Sequence, residues 1–178
     1  MKLVSSTVLA AATLILGFTL GMKVGSAQAG GDGPVQVQRV DHISVFVRSV
    51  EKAAEMHTLL LGTEMPKFSE PPRQPIFPPE FKGDRNSRPR YGHIALANAR
   101  IELMEPVGGE SRWREFLATH GQGIEHIGFA VPDVKEATAR FLKAGGTLIM
   151  GGCDGCTAHL DMREQLGYIV ELQPAPKP

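Results

Sequence analysis

The chain has 178 residues, with 19 Lys and Arg balanced by 19 Asp and Glu. That balance leaves no basic footprint for nucleic acid, which is excluded as an expected partner. The length suits one compact domain whose core two half-domains can share, once an N-terminal segment is set aside.

That segment has Lys2 ahead of an apolar run from Leu3 to Met22, then Ala27-Gln28-Ala29 before Gly30. This is the layout of a secretory signal with a small-residue cleavage site. Residues 1–29 are therefore expected to be a signal peptide, and the mature chain periplasmic or secreted. The run also approaches the ~20 residues that span a bilayer. An uncleaved anchor, the one route to a membrane here, would hold the domain on the same side, outside the cytoplasm.

The folded domain is expected over residues 38–174. Val40–Val47 alternates His42, Ser44 and Phe46 with Ile43, Val45 and Val47, the period of two that gives a strand two unlike faces. Val50 to Leu61 is rich in Ala, Glu, Lys, Met and Leu and stops at Gly62, which predicts a helix. Strands follow at Tyr91–Leu96 and Arg100–Met104, joined at Ala97-Asn98-Ala99, where Asn tolerates the left-handed turn. Residues 110–120 predict a linking helix. Then come a strand at Ile124–Val131, a helix at Val134–Ala144, and strands at Thr147–Met150, Thr157–Asp161 and Tyr168–Gln173.

This order is one unit written twice. Asp41-His42-Ile43-Ser44-Val45-Phe46-Val47 returns 84 positions later as Glu125-His126-Ile127-Gly128-Phe129-Ala130-Val131, and each copy closes on an apolar-Glu-Leu strand, Ile101-Glu102-Leu103 and Val170-Glu171-Leu172. With Glu64–Ser69 supplying the first copy's second strand, the fold class is α+β: two tandem βαβββ modules, 38–106 and 122–174, in a curved mixed sheet.

Strand parity places His42, His126, Glu102 and Glu171 on one side of that sheet, opposite the β-branched residues. Taken singly, a strand Glu is usually solvated and a lone His usually structural. Four at repeat-related places form a set. Two imidazoles and two carboxylates neutralise a divalent ion of the Ni, Co, Mn, Fe or Zn type, and the two nitrogen donors disfavour calcium. Such a site leaves about two octahedral positions for a bidentate substrate and can acidify a proton beside a metal-bound carbonyl. The base for that proton is sought among Glu171, Glu102 and His93, the last lying in the strand paired with the Glu102 strand. His120, at a helix end, and His57, on the first helix, are expected to be structural.

The segments Asp41-His42-Ile43, Ile101-Glu102-Leu103-Met104-Glu105-Pro106, Gly121–Ile127 and Gly167–Leu172 resemble the four ligand strands of the vicinal oxygen chelate superfamily, which includes glyoxalase I. Ile101–Pro106, Phe116-Leu117, Gly121–Val131 and Asp133-Val134 are most similar to methylmalonyl-CoA epimerase. The resemblance implies His42, Glu102, His126 and Glu171 as ligands, and an epimerase- or isomerase-type enzyme. Glu102 stands where epimerases commonly carry Gln and is the glyoxalase I type of ligand, so a lactoylglutathione lyase is the second reading. A non-catalytic ligand-binding or resistance module on the same fold is the third. Ala158-His159-Leu160-Asp161 also departs from the epimerases' apolar-His-Pro stretch.

Two regions bear on specificity. Pro66–Arg90 holds seven prolines and six basic residues, Lys67, Arg73, Lys82, Arg85, Arg88 and Arg90, against three acidic ones. It is expected to be a stiff inserted loop that cannot continue a sheet, either a lid that would favour a small anionic carbonyl substrate or a solvated polyproline-like excursion. Cys153-Asp154-Gly155-Cys156 holds both cysteines and is expected to form a local disulfide in an exported protein. The sequence leaves open whether the site is complete in one chain or shared across a homodimer.

Overall fold

The computed structural model describes residues 34–69, 88–151 and 155–176. The expected signal at 1–29, most of the proline-rich insert and Cys153 lie outside the described residues. Cys156 is disulfide-bonded. No helix among the described residues is long and apolar enough to cross a membrane.

In chain order the elements are β1 (Arg39–Phe46), α1 (Val50–Leu61), β2 (Phe68–Ser69), β3 (Arg88–Ala95), β4 (Arg100–Val107), α2 (Arg112–Thr119), β5 (Gly123–Val131), α3 (Val134–Lys143), β6 (Thr147–Gly151), β7 (Ala158–Met162), α4 (Arg163–Leu166) and β8 (Tyr168–Pro174). The helices begin where the sequence offers caps. Ser49, Ser111 and Asp133 each accept a hydrogen bond from the backbone N–H three residues on, which satisfies a first-turn donor with no partner inside the helix. Gly62 ends α1 in the left-handed conformation, φ 66°, which costs a residue without Cβ nothing.

The strands form one eight-stranded sheet in the order β2-β3-β4-β1-β5-β8-β7-β6. It is mixed, as expected: β1 pairs with β4 in parallel, β5 with β8 in parallel, and β1 with β5 antiparallel at the centre. The two halves meet along β1 and β5. His42 there lies beside Gly128 and Ser44 beside His126, a reciprocal register that puts a small residue next to each imidazole.

The apolar faces of the strands are covered half by half. Val47, Ile94 and Leu103 pack against Val50 and Ala54 of α1. Val131, Leu160, Val170 and Leu172 pack against Val134 and Ala137 of α3. Between them Phe46, Met104, Trp113 and Met150 join α2 to the sheet. Leu160, Leu172, Val170 and Phe46 have no exposed surface, so each contributes about 1.5–3 kcal/mol of apolar burial.

Two local expectations need correction, and one element went unread. Among the described residues the second strand of the first half is Phe68–Ser69, not Glu64–Ser69. The insert does continue the sheet at both ends, through Phe68–Ser69 and Arg88–Arg90. Pro89 faces Pro106 across the ladder, and opposed prolines fit a rung that exchanges no hydrogen bonds. The turn of helix at Arg163–Leu166, closed by Gly167 at φ 85°, is too short to leave a periodic signal.

Candidate metal centre

At the seam between the halves three donor atoms converge. Glu171 Oε2 lies 2.9 Å from His42 Nε2 and 3.2 Å from His126 Nε2, and the two imidazole nitrogens are 3.1 Å apart. The three donors lie within 4.8 Å of one another, all on buried residues. Glu102 is the outermost of the four expected ligands, with Oε2 3.7 Å from His42 Nε2 and 3.9 Å from His126 Nε2.

Each imidazole is aimed by the carboxylate that precedes it in the chain. His42 Nδ1 is 3.2 Å from Asp41 Oδ2, and His126 Nδ1 is 2.6 Å from Glu125 Oε2. An ionised carboxylate only accepts, so Nδ1–H donates and Nε2 is left to face the centre. The carboxylates are pinned in turn by guanidinium groups, Asp41 by Arg39 and Arg100, and Glu125 by Arg112.

The electrostatics fit a cation. Burial opposes ionisation of Asp41, but Arg39 and Arg100 hold its carboxyl well below the usual range. Burial likewise opposes the Glu125 anion, and the His126 hydrogen bond and Arg112 bring it to about 2. For His126 burial favours the neutral ring, yet hydrogen bonds to Glu125 and Glu171 outweigh it and raise the imidazole to about 9. His42 is raised too, as Glu171 and Glu102 overcome burial. Burial works against Glu171, and the imidazoles of His159, His126 and His42 hold it low. Without a metal ion, then, His42 and His126 are biased toward their protonated forms beside these carboxylates. A donor set of two nitrogens and carboxylate oxygens with that demand for positive charge suits a divalent ion of the Zn, Ni, Co, Mn or Fe kind.

The sequence profile of the Glyoxalase/Bleomycin resistance protein/Dioxygenase superfamily matches residues 41–161. The chain belongs to that superfamily. Among its relatives are an ethylmalonyl-CoA/methylmalonyl-CoA epimerase of Cereibacter sphaeroides, 28% identical over 77% of this chain and 98% of the relative, and the mitochondrial methylmalonyl-CoA epimerase of Bos taurus, 28% identical over 82% and 79%. The fold matches the crystal structure of methylmalonyl-CoA epimerase from Mycobacterium tuberculosis, with a TM-score of 0.58 and 24% identity over 81% of this chain and 93% of that one.

Within this glyoxalase-superfamily sheet, the remaining histidines fall into place. His93 on β3 lies across the ladder from Glu102, its Nε2 2.9 Å from Glu102 Oε1. Burial opposes the Glu102 anion, but this hydrogen bond and His42 keep its carboxyl below the usual value. His57 Nδ1 bonds the Ala53 carbonyl within α1, and His120 caps α2 and stacks on Phe116. Neither reaches the centre.

Sequence reasoning missed His159 as a member of the site. It is buried on β7, edge-on to the His126 ring, with Nε2 3.7 Å from Glu171 Oε2. Burial pushes its imidazole down to about 4, against the pull of Glu171. The aiming carboxylates were visible only as repeat positions, and the arginines that pin them gave no sequence signal.

Proposed function

We propose that this chain is a divalent-metal-dependent enzyme of the epimerase or isomerase type that removes and returns a proton beside the carbonyl of a small anionic substrate. The observation that carries the reading is the convergence of His42, His126 and Glu171, with Glu102 at its rim, on a pocket that demands positive charge. His42, His126, Glu171 and Glu102 would hold the ion. When bound, it would supply Lewis acidity to a substrate carbonyl oxygen.

The residues divide the rest of the work. Glu102 and Glu171 come from opposite halves of the molecule, so one carboxylate can take the proton and the other return it, which is what inversion at carbon requires. Both are held in the ionised form by their imidazole neighbours, ready to accept. His93 Nε2–H donates to Glu102 Oε1 and fixes that carboxylate with its other oxygen toward the centre; being partly exposed, His93 also offers a route for the proton to solvent. The relatives named above are methylmalonyl-CoA epimerases, and a 2-substituted acyl thioester or related carbonyl acid is the substrate class this supports. Glu102 favours a second substrate, the hemithioacetal of a 2-oxoaldehyde and a thiol.

The experiment is metal-dependent deuterium uptake from deuterated water into methylmalonyl-CoA, simpler carbonyl acids and the methylglyoxal–glutathione hemithioacetal. Glu102→Gln and Glu171→Gln keep an oxygen donor and lose the base. Exchange lost with metal retained assigns the base. Metal-loaded wild-type protein that exchanges no proton between about pH 5 and 9, the span of carboxylate and imidazole titration, leaves the binding-module reading in its place. We further propose export after cleavage before Gly30, supported by Leu3–Met22 and Ala27-Gln28-Ala29; mass spectrometry of the native chain reads it directly. A full-length chain in the membrane fraction would mean an anchor, and a full-length soluble one would refute both.

A further inference from the structure

The two halves of the sheet share a relation that the aligned repeat does not display. On β3 and β4, His93 stands directly opposite Glu102. On β7 and β8, His159 stands directly opposite Glu171. In each half, therefore, the last strand's Glu has an imidazole facing it from the strand before. His93 lies nine residues ahead of Glu102 and His159 twelve ahead of Glu171, the second hairpin taking in the α4 turn; the two histidines are 66 residues apart and the two glutamates 69, so neither spacing matches the 84 that separates His42 from His126.

We infer that His159 is the positioning residue for Glu171, giving its Nε2–H to the carboxylate as His93 does to Glu102. The inference rests on the metal-centre reading above and extends it to a residue that reading does not use. The separation of 3.7 Å is about half an ångström beyond the usual hydrogen-bond range, so the two groups face each other in near contact, and on this inference they close into a hydrogen bond. His159 is also much more enclosed than its counterpart, with a side-chain exposure of 9% against 32% for His93, and a hydrogen bond in so dry a place is stronger.

The other ring nitrogen supports the same assignment. His159 Nδ1 is buried with no hydrogen-bond partner. An orphaned N–H in that position would be rare, whereas an unsatisfied acceptor lone pair is better tolerated. A ring that carries its proton on Nε2 leaves the bare lone pair on Nδ1 and points its single donor at Glu171. His159 is thus placed to fix the oxygen of Glu171 that faces His42 and His126, and to keep hold of that carboxylate while it exchanges partners.

The test uses the full chain. In the chelator-treated, metal-free protein, long-range proton–nitrogen spectra of labelled histidine should show His159 as the Nε2–H tautomer, and its nitrogen signals should move in Glu171→Gln. Cobalt(II) titrated against a competing chelator should bind His159→Phe about 10–100-fold more weakly than wild type, the usual effect of losing a group that orients a ligand. His159→Gln, which keeps an N–H donor, should recover most of that loss, and Phe, which keeps the ring volume, should not. An Nδ1–H tautomer indifferent to Glu171→Gln overturns the inference, as does wild-type cobalt affinity in His159→Phe. Failure of the enzyme reading shows elsewhere, as absent proton exchange, and leaves the tautomer result standing.

Discussion

Gly128→Ala is the sharpest test of how tightly the centre is packed. A Cβ at Gly128 would lie 2.3 Å from His42 Cε1, 2.6 Å from Nδ1 and 2.7 Å from Nε2. Carbon atoms in contact sit about 3.5–4.0 Å apart, so the ring must retreat by more than an ångström. It has little room to do so, since His42 is 3% exposed and tied to Asp41. Overpacking of this kind costs about 1–3 kcal/mol, which for a domain of ~150 residues lowers Tm by roughly 2–12 °C. Metal ligands keep their distances to within about 0.2 Å, and the enforced shift is several times that. Metal affinity should therefore fall by at least the ~10–100-fold typical of disturbed ligand orientation. Gly123→Ala is the control: it lies on the same strand, and its Cβ would meet nothing within 4 Å. Thermal melts and competitive metal titrations of both variants decide the matter. If Gly128→Ala matched Gly123→Ala in both, the close approach of His42 to β5 would be wrong.

The pH dependence has a definite sign. His126 is raised to about 9 by its carboxylate neighbours, so in the metal-free protein it contributes stability that is complete below its ordinary value near 6.5 and lost as pH rises through about 9. Denaturant midpoints measured in chelator from pH 6 to 10 should fall toward the upper end, while apparent metal affinity rises over the same range because binding must displace that proton; a flat affinity profile counts against an imidazole ligand. Glu125→Gln removes the anion that orients His126 Nδ1–H, and is expected to weaken metal binding about 10–100-fold and to bring the His126 titration down, as followed by NMR. Arg112→Met, which frees Glu125 from its guanidinium, should weaken metal binding by less than Glu125→Gln; an equal or larger loss would show that the arginine does more than hold the carboxylate.

What could be read in the sequence followed from strand periodicity and from the return of the His-centred strand and the closing Glu-Leu strand in each half. His42, His126 and their flanking alternation fix two strands and one face, and the closing Glu-Leu strands supply Glu102 and Glu171 on that face. Ser44 and Gly128 were legible as small residues two beyond a histidine, but their placement beside the opposite imidazole comes from the antiparallel register of β1 and β5. His159 escaped because its pairing is set by ladder register across a hairpin of different length, which linear spacing does not carry. The clamp of Arg39, Arg100 and Arg112 escaped for a related reason: arginines scattered along a chain look like solvated charges until the fold brings them to a buried carboxylate. β2 and α4 are shorter than one period of any pattern, so only tertiary contacts define them.

The seam between β1 and β5 has a mechanical consequence. His42 and His126 stand 84 residues apart, and His126 and Glu171 another 45, so an ion held by all three closes two long loops of chain at one point. In an unfolded chain such closures carry a large entropic cost; a metal clip at the seam would act as a reversible cross-link between the two halves. Neither half holds more than one of the two imidazoles. Polypeptides ending near Glu110 and starting near Gly121 should therefore reassociate more tightly with the ion than without it, each half serving as the other's chelating arm.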